Sequence, residues 1–376
     1  MEYEPIIFDF NQKRLKFEKP LHVWQTYYLE DVIDVFEKVQ KAINEQFYVA
    51  GYVSYECAPA FENHLSVSDP DGKFPLVWFG VYEKPMEDDA IRKKGVYSVS
   101  KWSEGTDRVE YEKNIESIHA AIARGETYQV NYSTRLQAKL SGDDLAYYED
   151  LRDAQQTNYS AYLNIGSYRI LSVSPELFFH WDGDVLRTKP MKGTLPKTEC
   201  KRALFESEKN RTENVMIVDL LRNDLGRIAK TGTVKVPQLF EIEEYPTVYQ
   251  MTSTVEANTK PGVTLLDIFQ AMFPCGSITG APKISTMQII SSLEKEPRNI
   301  YCGAIGLAVP GEGITFNVAI RTVLVDTHNQ MAVYGVGGGI IWDSTAEDEY
   351  NEMMTKTRVL TYRNKDKEQV GGNSEL

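Results

Sequence analysis

The densest chemistry in this sequence lies near its C-terminus, where Glu349, Glu352 and Lys356 fall at i, i+3 and i+7. On a helix that spacing puts all three on one face. Two carboxylates on one face can ligate a hard cation such as Mg²⁺, leaving the lysine to meet an anion. The plain alternative is an exposed Glu–Lys salt pair, which is common on surfaces. Ser344, with Glu347 three residues on, reads as the capping box that starts this helix. A second acidic position, Glu213, precedes the apolar run 215–218. It either points into a cleft or only complements a helix dipole.

Two shorter motifs carry acid–base and nucleophilic potential. Lys192 sits in Pro190-Met191-Lys192-Gly193-Thr194, after a strand-like run. Such a lysine is a nucleophile if burial or a nearby cation lowers its pKa, and a solvated loop residue otherwise. Glu176, in Ser174-Pro175-Glu176, is a general acid if buried and part of a strand-edge turn otherwise. The loop 274–283 is rich in glycine and hydroxyls and feeds a helix, with Pro282 suited to the first helical position. Backbone N–H groups there can hold an anion, although the spacing is not that of a Walker A loop. Gly337, Gly338 and Gly339 follow a strand and either let a backbone approach a ligand closely or make a bend. The five histidines show no triad or metal-ligand spacing. Cys57, Cys200, Cys275 and Cys302 form no CxxC pair, which argues against a disulfide scaffold or a zinc ribbon.

The elements that must position these residues follow from periodicity. Helical spacing predicts helices over about 31–46, 111–124, 208–227 and 345–362, with Gly125 stopping the second. Runs at 47–55, 162–173, 177–187, 303–309, 313–325 and 330–336 predict strands, with turns at 182–184, 310–313 and 326–329. A charged stretch, 84–108, reads as a boundary. Strands in meanders with separate long helices suggest an antiparallel α+β body.

Composition narrows the class. The 376 residues carry 41 Lys and Arg against 54 Asp and Glu, a net charge of −13. That balance disfavours nucleic acid and anionic membrane surfaces as partners. No apolar run approaches the ~20 residues of a membrane span, and the N-terminus lacks a signal-peptide pattern. The expectation is a soluble, cytoplasmic, globular protein.

The motifs around Glu176, Lys192, Glu213, the 276–283 loop, Ala319-Ile320-Arg321-Thr322 and 343–356 occur in one order. That series resembles the chorismate-utilising enzymes, a family that includes anthranilate, aminodeoxychorismate, isochorismate and salicylate synthases. The resemblance covers roughly 108–362, and Gly51-Tyr52-Val53-Ser54-Tyr55-Glu56 is similar to the N-terminal portion of component I proteins. It implies a large antiparallel β-sandwich with helices packed outside and the site in a cleft. An N-terminal region, 1–95, and a chorismate-binding catalytic region, 108–362, would form one compact body, followed by a polar tail, 363–376.

The resemblance also implies roles. Glu213 and Glu352 would ligate Mg²⁺, with Glu349 and Asn210 as outer neighbours. Tyr301, Arg321, Gly337, Gly338, Gly339 and Lys356 would hold the substrate carboxylates, with Thr279 beside the ring. Gln129 stands where isochorismate and salicylate synthases use a lysine base, and Lys192 stands where anthranilate and isochorismate types carry a small residue. Both positions point to the aminodeoxychorismate-forming type. In it Lys192 attacks chorismate, Glu176 protonates the leaving hydroxyl, and ammonia displaces Lys192 to give 4-amino-4-deoxychorismate for 4-aminobenzoate and folate. The 376 residues show no glutaminase nucleophile region, so a glutamine amidotransferase subunit would supply the ammonia. The alternatives are an anthranilate synthase component I, a lyase, and a non-catalytic binding or regulatory subunit. Gln250 replaces a histidine found in many family members, and no role carries over to it.

Overall fold

The computed structural model describes residues 5–86, 95–245 and 248–361. The frame is a pair of ten-stranded sheets, and every strand pairing in them is antiparallel. The first is built around the long strands Gln129–Gly142 and Met331–Ile340, which pair from Val130↔Ile340 to Lys139↔Met331. The second contains the strands that carry Lys192 (Met191–Pro196) and Gln250 (Val248–Asn258). The N-terminal residues supply both sheets: Ile6–Phe10 and Lys13–Phe17 extend the first, while His22–Thr26, Tyr48–Val53 and Val77–Tyr82 complete the second.

Alternation of side chains along each strand divides the apolar residues among three layers. Phe8, Tyr52, Ile305 and Leu324 fill the space between the sheets. The outer face of the second sheet packs on helices Val32–Asn44, Glu208–Gly226 and Leu265–Met272. Phe36 is fully buried there, edge-on to Phe61, Phe79 and Phe269. Truncating such a residue to alanine costs about 3–5 kcal/mol. The outer face of the first sheet packs on Arg108–Ala123, Asp144–Gln155, Lys283–Leu293 and Ala346–Lys356. The antiparallel α+β sandwich expected from the sequence is therefore present. All four cysteines are free, and among the described residues no helix is long and apolar enough to cross a membrane.

Several boundaries differ from the sequence expectations. The run 162–173 is a hairpin of Tyr159–Asn164 and Tyr168–Ser174, because Gly166 (φ +90°) turns the chain. The run 313–325 also splits: Gly313–Val318 lies in the second sheet and Thr322–Asp326 in the first. Arg321, at φ +50°, makes the crossing. The final helix begins one residue later than expected: Thr345, not Ser344, accepts the cap bond, from the N–H of Asp348. Helical turns of the α type end at Lys356, and 357–361 tightens into a 3₁₀ turn. Pro282 stands just before its helix in an extended conformation rather than at the first helical position. The expected tail, 363–376, lies outside the described residues.

Candidate active site

One cavity gathers residues from ten parts of the chain. Its floor is the strand Met331–Ile340, which runs without a bend through its glycines and pairs Gly337, Gly338 and Gly339 with Ser133, Tyr132 and Asn131. Side chains on this stretch would collide with the walls. A Cβ on Gly335 would stand 2.2 Å from the Tyr301 ring, and one on Gly339 would stand 2.4 Å from Gln129 Nε2 and 2.9 Å from Lys192 Nζ. Gly338 faces Glu349 and Lys356 in the same way, at 3.2 and 3.6 Å. Backbone is therefore the lining here, and its carbonyls are available: Lys356 Nζ donates to Gly337 O at 2.8 Å.

Two helices form an acidic wall. Glu208–Gly226 presents Lys209, Asn210 and Glu213, and Ala346–Lys356 presents Glu349, Glu352 and Lys356. Burial pushes the Glu213 carboxyl up; Lys192 and Lys209 oppose that, while Glu349 and Glu352 add to it. Burial likewise raises Glu349, although Ser344 Oγ donates to it at 2.6 Å. Ser344 is thus a partner of a site carboxylate rather than the helix cap. Glu352 is half exposed, and Lys356, 2.9 Å away, holds it below the ordinary carboxylate value.

The opposite wall holds the acid and the amine. Glu176 is buried, and Ser277 Oγ donates to its Oε1 at 2.6 Å. Burial raises its carboxyl to about 7, against the pull of Ser277, Lys192 and Arg321. Its backbone is fixed: its N–H donates to Ser174 Oγ and its carbonyl accepts from the Val318 N–H. Lys192 emerges at a β-bulge, where the pairing slips between Met191↔Thr252 and Thr194↔Gln250. Arg321 is buried deeply enough to lower its pKa, and it donates to Gln155 Oε1 at 2.5 Å.

Twelve of the residues given a role from sequence line this cavity: Glu176, Lys192, Asn210, Glu213, Tyr301, Arg321, Gly337, Gly338, Gly339, Glu349, Glu352 and Lys356. Two do not. Thr279 is fully buried, and its hydroxyl is used locally by the carbonyls of Cys275 and Gly276 at 3.2 and 3.4 Å. Ser277 and Ile278 of the same loop line the cavity instead. Gln129 is buried beside Gly339, its amide on the same side as the Lys192 amine and with neither end hydrogen-bonded. Sequence reasoning gave no role to Ser277, Lys209 or Gln250, although Ser277 and Gln250 stand inside quoted motifs.

The donor set suits a hard cation. Glu213, Glu349 and Glu352 offer carboxylate oxygens, and two of them are destabilised as ions by burial and mutual repulsion. Among the described residues no group of three or more His, Cys, Asp or Glu is placed to hold a metal ion between them. Mg²⁺ suits such an incomplete set, because it takes one or two carboxylates and completes its shell with substrate and water. Chemically, the cavity combines an amine, a carboxyl protonated near neutrality, an acidic wall and the cations Lys209, Arg321 and Lys356.

Comparison with known proteins agrees with this arrangement. Residues 88–362 match the family model for chorismate binding enzymes. The chain is 32% identical to aminodeoxychorismate synthase component 1 of Escherichia coli over 95% of its own length and 85% of that protein. It is 42% identical to the Salmonella typhimurium protein of the same name over 69% of this chain, a match spanning 59% of the relative. Among solved structures, anthranilate synthase component I from Streptococcus pneumoniae superposes with a TM-score of 0.78 at 26% identity, covering 96% of this chain and 91% of that one.

Proposed function

The chain belongs to the chorismate-binding enzymes, and we propose that it forms 4-amino-4-deoxychorismate from chorismate and ammonia, in the cytoplasm, on the route to 4-aminobenzoate and folate. One observation carries this reading: Lys192 shares a cavity with a buried carboxyl held to about 7. An amine and a neutral acid are the pair needed to exchange a hydroxyl for an amine through two easier displacements. The Lys192 amine, in its neutral form, bonds to ring C2 while both ring double bonds shift, C1=C2 to C1=C6 and C5=C6 to C4=C5, and the C4 oxygen departs. Hydroxide is a poor leaving group, so Glu176 gives it a proton and it leaves as water. Ammonia then bonds to C4, both double bonds shift back and the C2–N bond to Lys192 breaks. The amine of Lys192 and the carboxyl of Glu176 are restored once the surplus proton of the ammonia returns to Glu176.

Arg321 and Lys356 line the cavity and would face the carboxylates of a dianionic substrate in a chain of net charge −13. Glu213 and Glu352 would hold Mg²⁺, with Glu349 and Asn210 behind them, and the ion would supply positive charge opposite a substrate carboxylate. The name "component 1" carried by the relatives implies a second component. A glutamine amidotransferase subunit delivering ammonia is the partner this reaction requires.

Product analysis tests the reading. The chain is incubated with chorismate, Mg²⁺ and ammonium, and the products are resolved by mass. The expected product has an amine in place of the hydroxyl and yields 4-aminobenzoate on addition of the lyase. Fluorescent anthranilate as the main product would overturn the proposal.

A further inference from the structure

The strand Met191–Pro196 cannot follow its neighbour in step. Met191 lies opposite Thr252 and Thr194 opposite Gln250, so three steps on one strand face two on the other. The extra residue is accommodated at Lys192-Gly193, and Gly193 takes φ +87°, a conformation that favours glycine. A bulge of this kind re-aims a side chain out of the plane of the ladder. It also leaves backbone groups without ladder partners, which must be satisfied elsewhere.

Gln250 meets that need. Its Nε2 donates to Gly193 O at 2.9 Å, and its Oε1 accepts from Thr194 Oγ1 at 3.1 Å. It is 5% exposed. The opposite side of the bulge is closed by Asn210, whose side chain would lie 3.0–3.1 Å from a Cβ on Gly193. The bulge that carries Lys192 is thus held by an amide that grips it with both ends and by a side chain packed against its back.

We infer that Gln250 is a positioning residue for Lys192: its amide fixes the Gly193 bulge and so aims the Lys192 amine over the glycine floor. The inference rests on the reading of Lys192 as the nucleophile. The requirement at position 250 is specific. One side chain must donate to a carbonyl and accept from a hydroxyl at once, without changing protonation state. Glutamine does so at every pH, whereas a histidine loses its acceptor when it charges and a glutamate its donor when it ionises. The charged groups around position 250 are Lys192 on its own bulge, Lys209 and Glu213 on the Glu208–Gly226 helix, and Glu243. Glu243 lies opposite Gln250 on the strand Lys235–Glu244 and is paired with Lys189.

Two variants test this. Gln250→Leu keeps the bulk and removes both hydrogen bonds. The expected result is a kcat lower by on the order of 10²-fold, from a displaced nucleophile, with KM little changed. A readout independent of turnover accompanies it: the acetylation rate of Lys192, followed by mass spectrometry against Lys209 and Lys356, should change while the other two do not. In Gln250→Glu, the protonated carboxyl can serve both partners and the ionised one repels Gly193 O. Its kcat relative to wild type should therefore recover as pH falls. Unchanged kcat and unchanged Lys192 labelling in the leucine variant would overturn the inference. So would a glutamate variant whose activity ratio does not vary with pH, which decides the matter alone if the leucine variant fails to fold. If the wild-type chain makes no aminodeoxychorismate while Lys192 labelling still depends on Gln250, the proposed reaction falls and the positioning role stands.

Discussion

Two groups of carboxylates and cations are buried in this fold, and their charges are balanced in opposite ways. Behind the cavity, Glu294 accepts from Arg298 at 2.7 Å, from Arg135 at 3.1 Å and from the Ser133 hydroxyl and N–H at 2.8 and 3.0 Å. Burial would raise Glu294, but Arg298 and Arg135 outweigh it and hold the carboxylate below its ordinary value. Arg298 also donates to the carbonyls of Ile278 and Asn131, tying the 276–283 loop to the first sheet. At the front, Glu213 and Glu349 are raised by burial, and the lysines nearby do not cancel the effect. In the rear knot the arginines outweigh burial, although Arg135 Nε has no hydrogen-bond partner; at the front wall burial outweighs the lysines. Removing one partner from a buried ion network of the first kind leaves an uncompensated charge and costs stability. Carboxylates of the second kind, raised by burial and by one another, are the ones a bound cation would relieve.

The comparison can be broken at either end. The largest effect is expected at the front: Lys192→Ala should lower aminodeoxychorismate formation by on the order of 10³-fold or more, with the melting temperature preserved. Full activity in that variant would remove the covalent route. At the rear, Arg298→Met leaves Glu294 with one cation fewer and should cost about 3–5 kcal/mol, read by denaturant titration; a loss under ~1 kcal/mol would mean the knot is not structural. Glu176→Gln should lower kcat/KM by about 10²–10⁴-fold. The wild-type profile should fall as pH rises through about 7, where the buried Glu176 loses its proton, and that limb should be missing from the variant. The smallest effect sharpens the contrast. The raised Glu213 makes folding less favourable as pH climbs past the ordinary carboxylate range towards its folded value. Glu213→Gln should therefore leave stability at neutral pH unchanged or better by about 1 kcal/mol. Mg²⁺ is expected to raise the melting temperature of the wild-type chain, and Glu213→Gln should diminish that rise; an undiminished rise would place the cation elsewhere.

Local periodicity made much of this legible. Spacing of i, i+3 and i+7 put Glu349, Glu352 and Lys356 on one face, and the helix Val32–Asn44 has the bounds its apolar rhythm suggested to within two residues. What stayed hidden depends on contacts far apart in sequence. Ser277 meets Glu176 across 101 positions, and the knot joins Arg135 to Glu294 across 159. Gln250 acquires its role from a strand register, which one extra residue resets. Thr279 shows the reverse case: spacing cannot reveal that its hydroxyl donates to the backbone of its own loop. Ser344 and Thr345 are adjacent and chemically alike: the cap that spacing assigned to Ser344 is made by Thr345, and Ser344 meets Glu349 instead.

The glycine floor sets the direction in which this cavity can evolve. At Gly335, Gly337 and Gly339 any side chain would run into Tyr301, the Tyr132 carbonyl, or Gln129 and Lys192. Nothing smaller than glycine exists, so substitution on this wall can only subtract space. A descendant accommodating a bulkier ring must obtain its room from the two acidic helices or from the loop around Ser277. Drift at these glycines instead leads one way, to a narrower pocket.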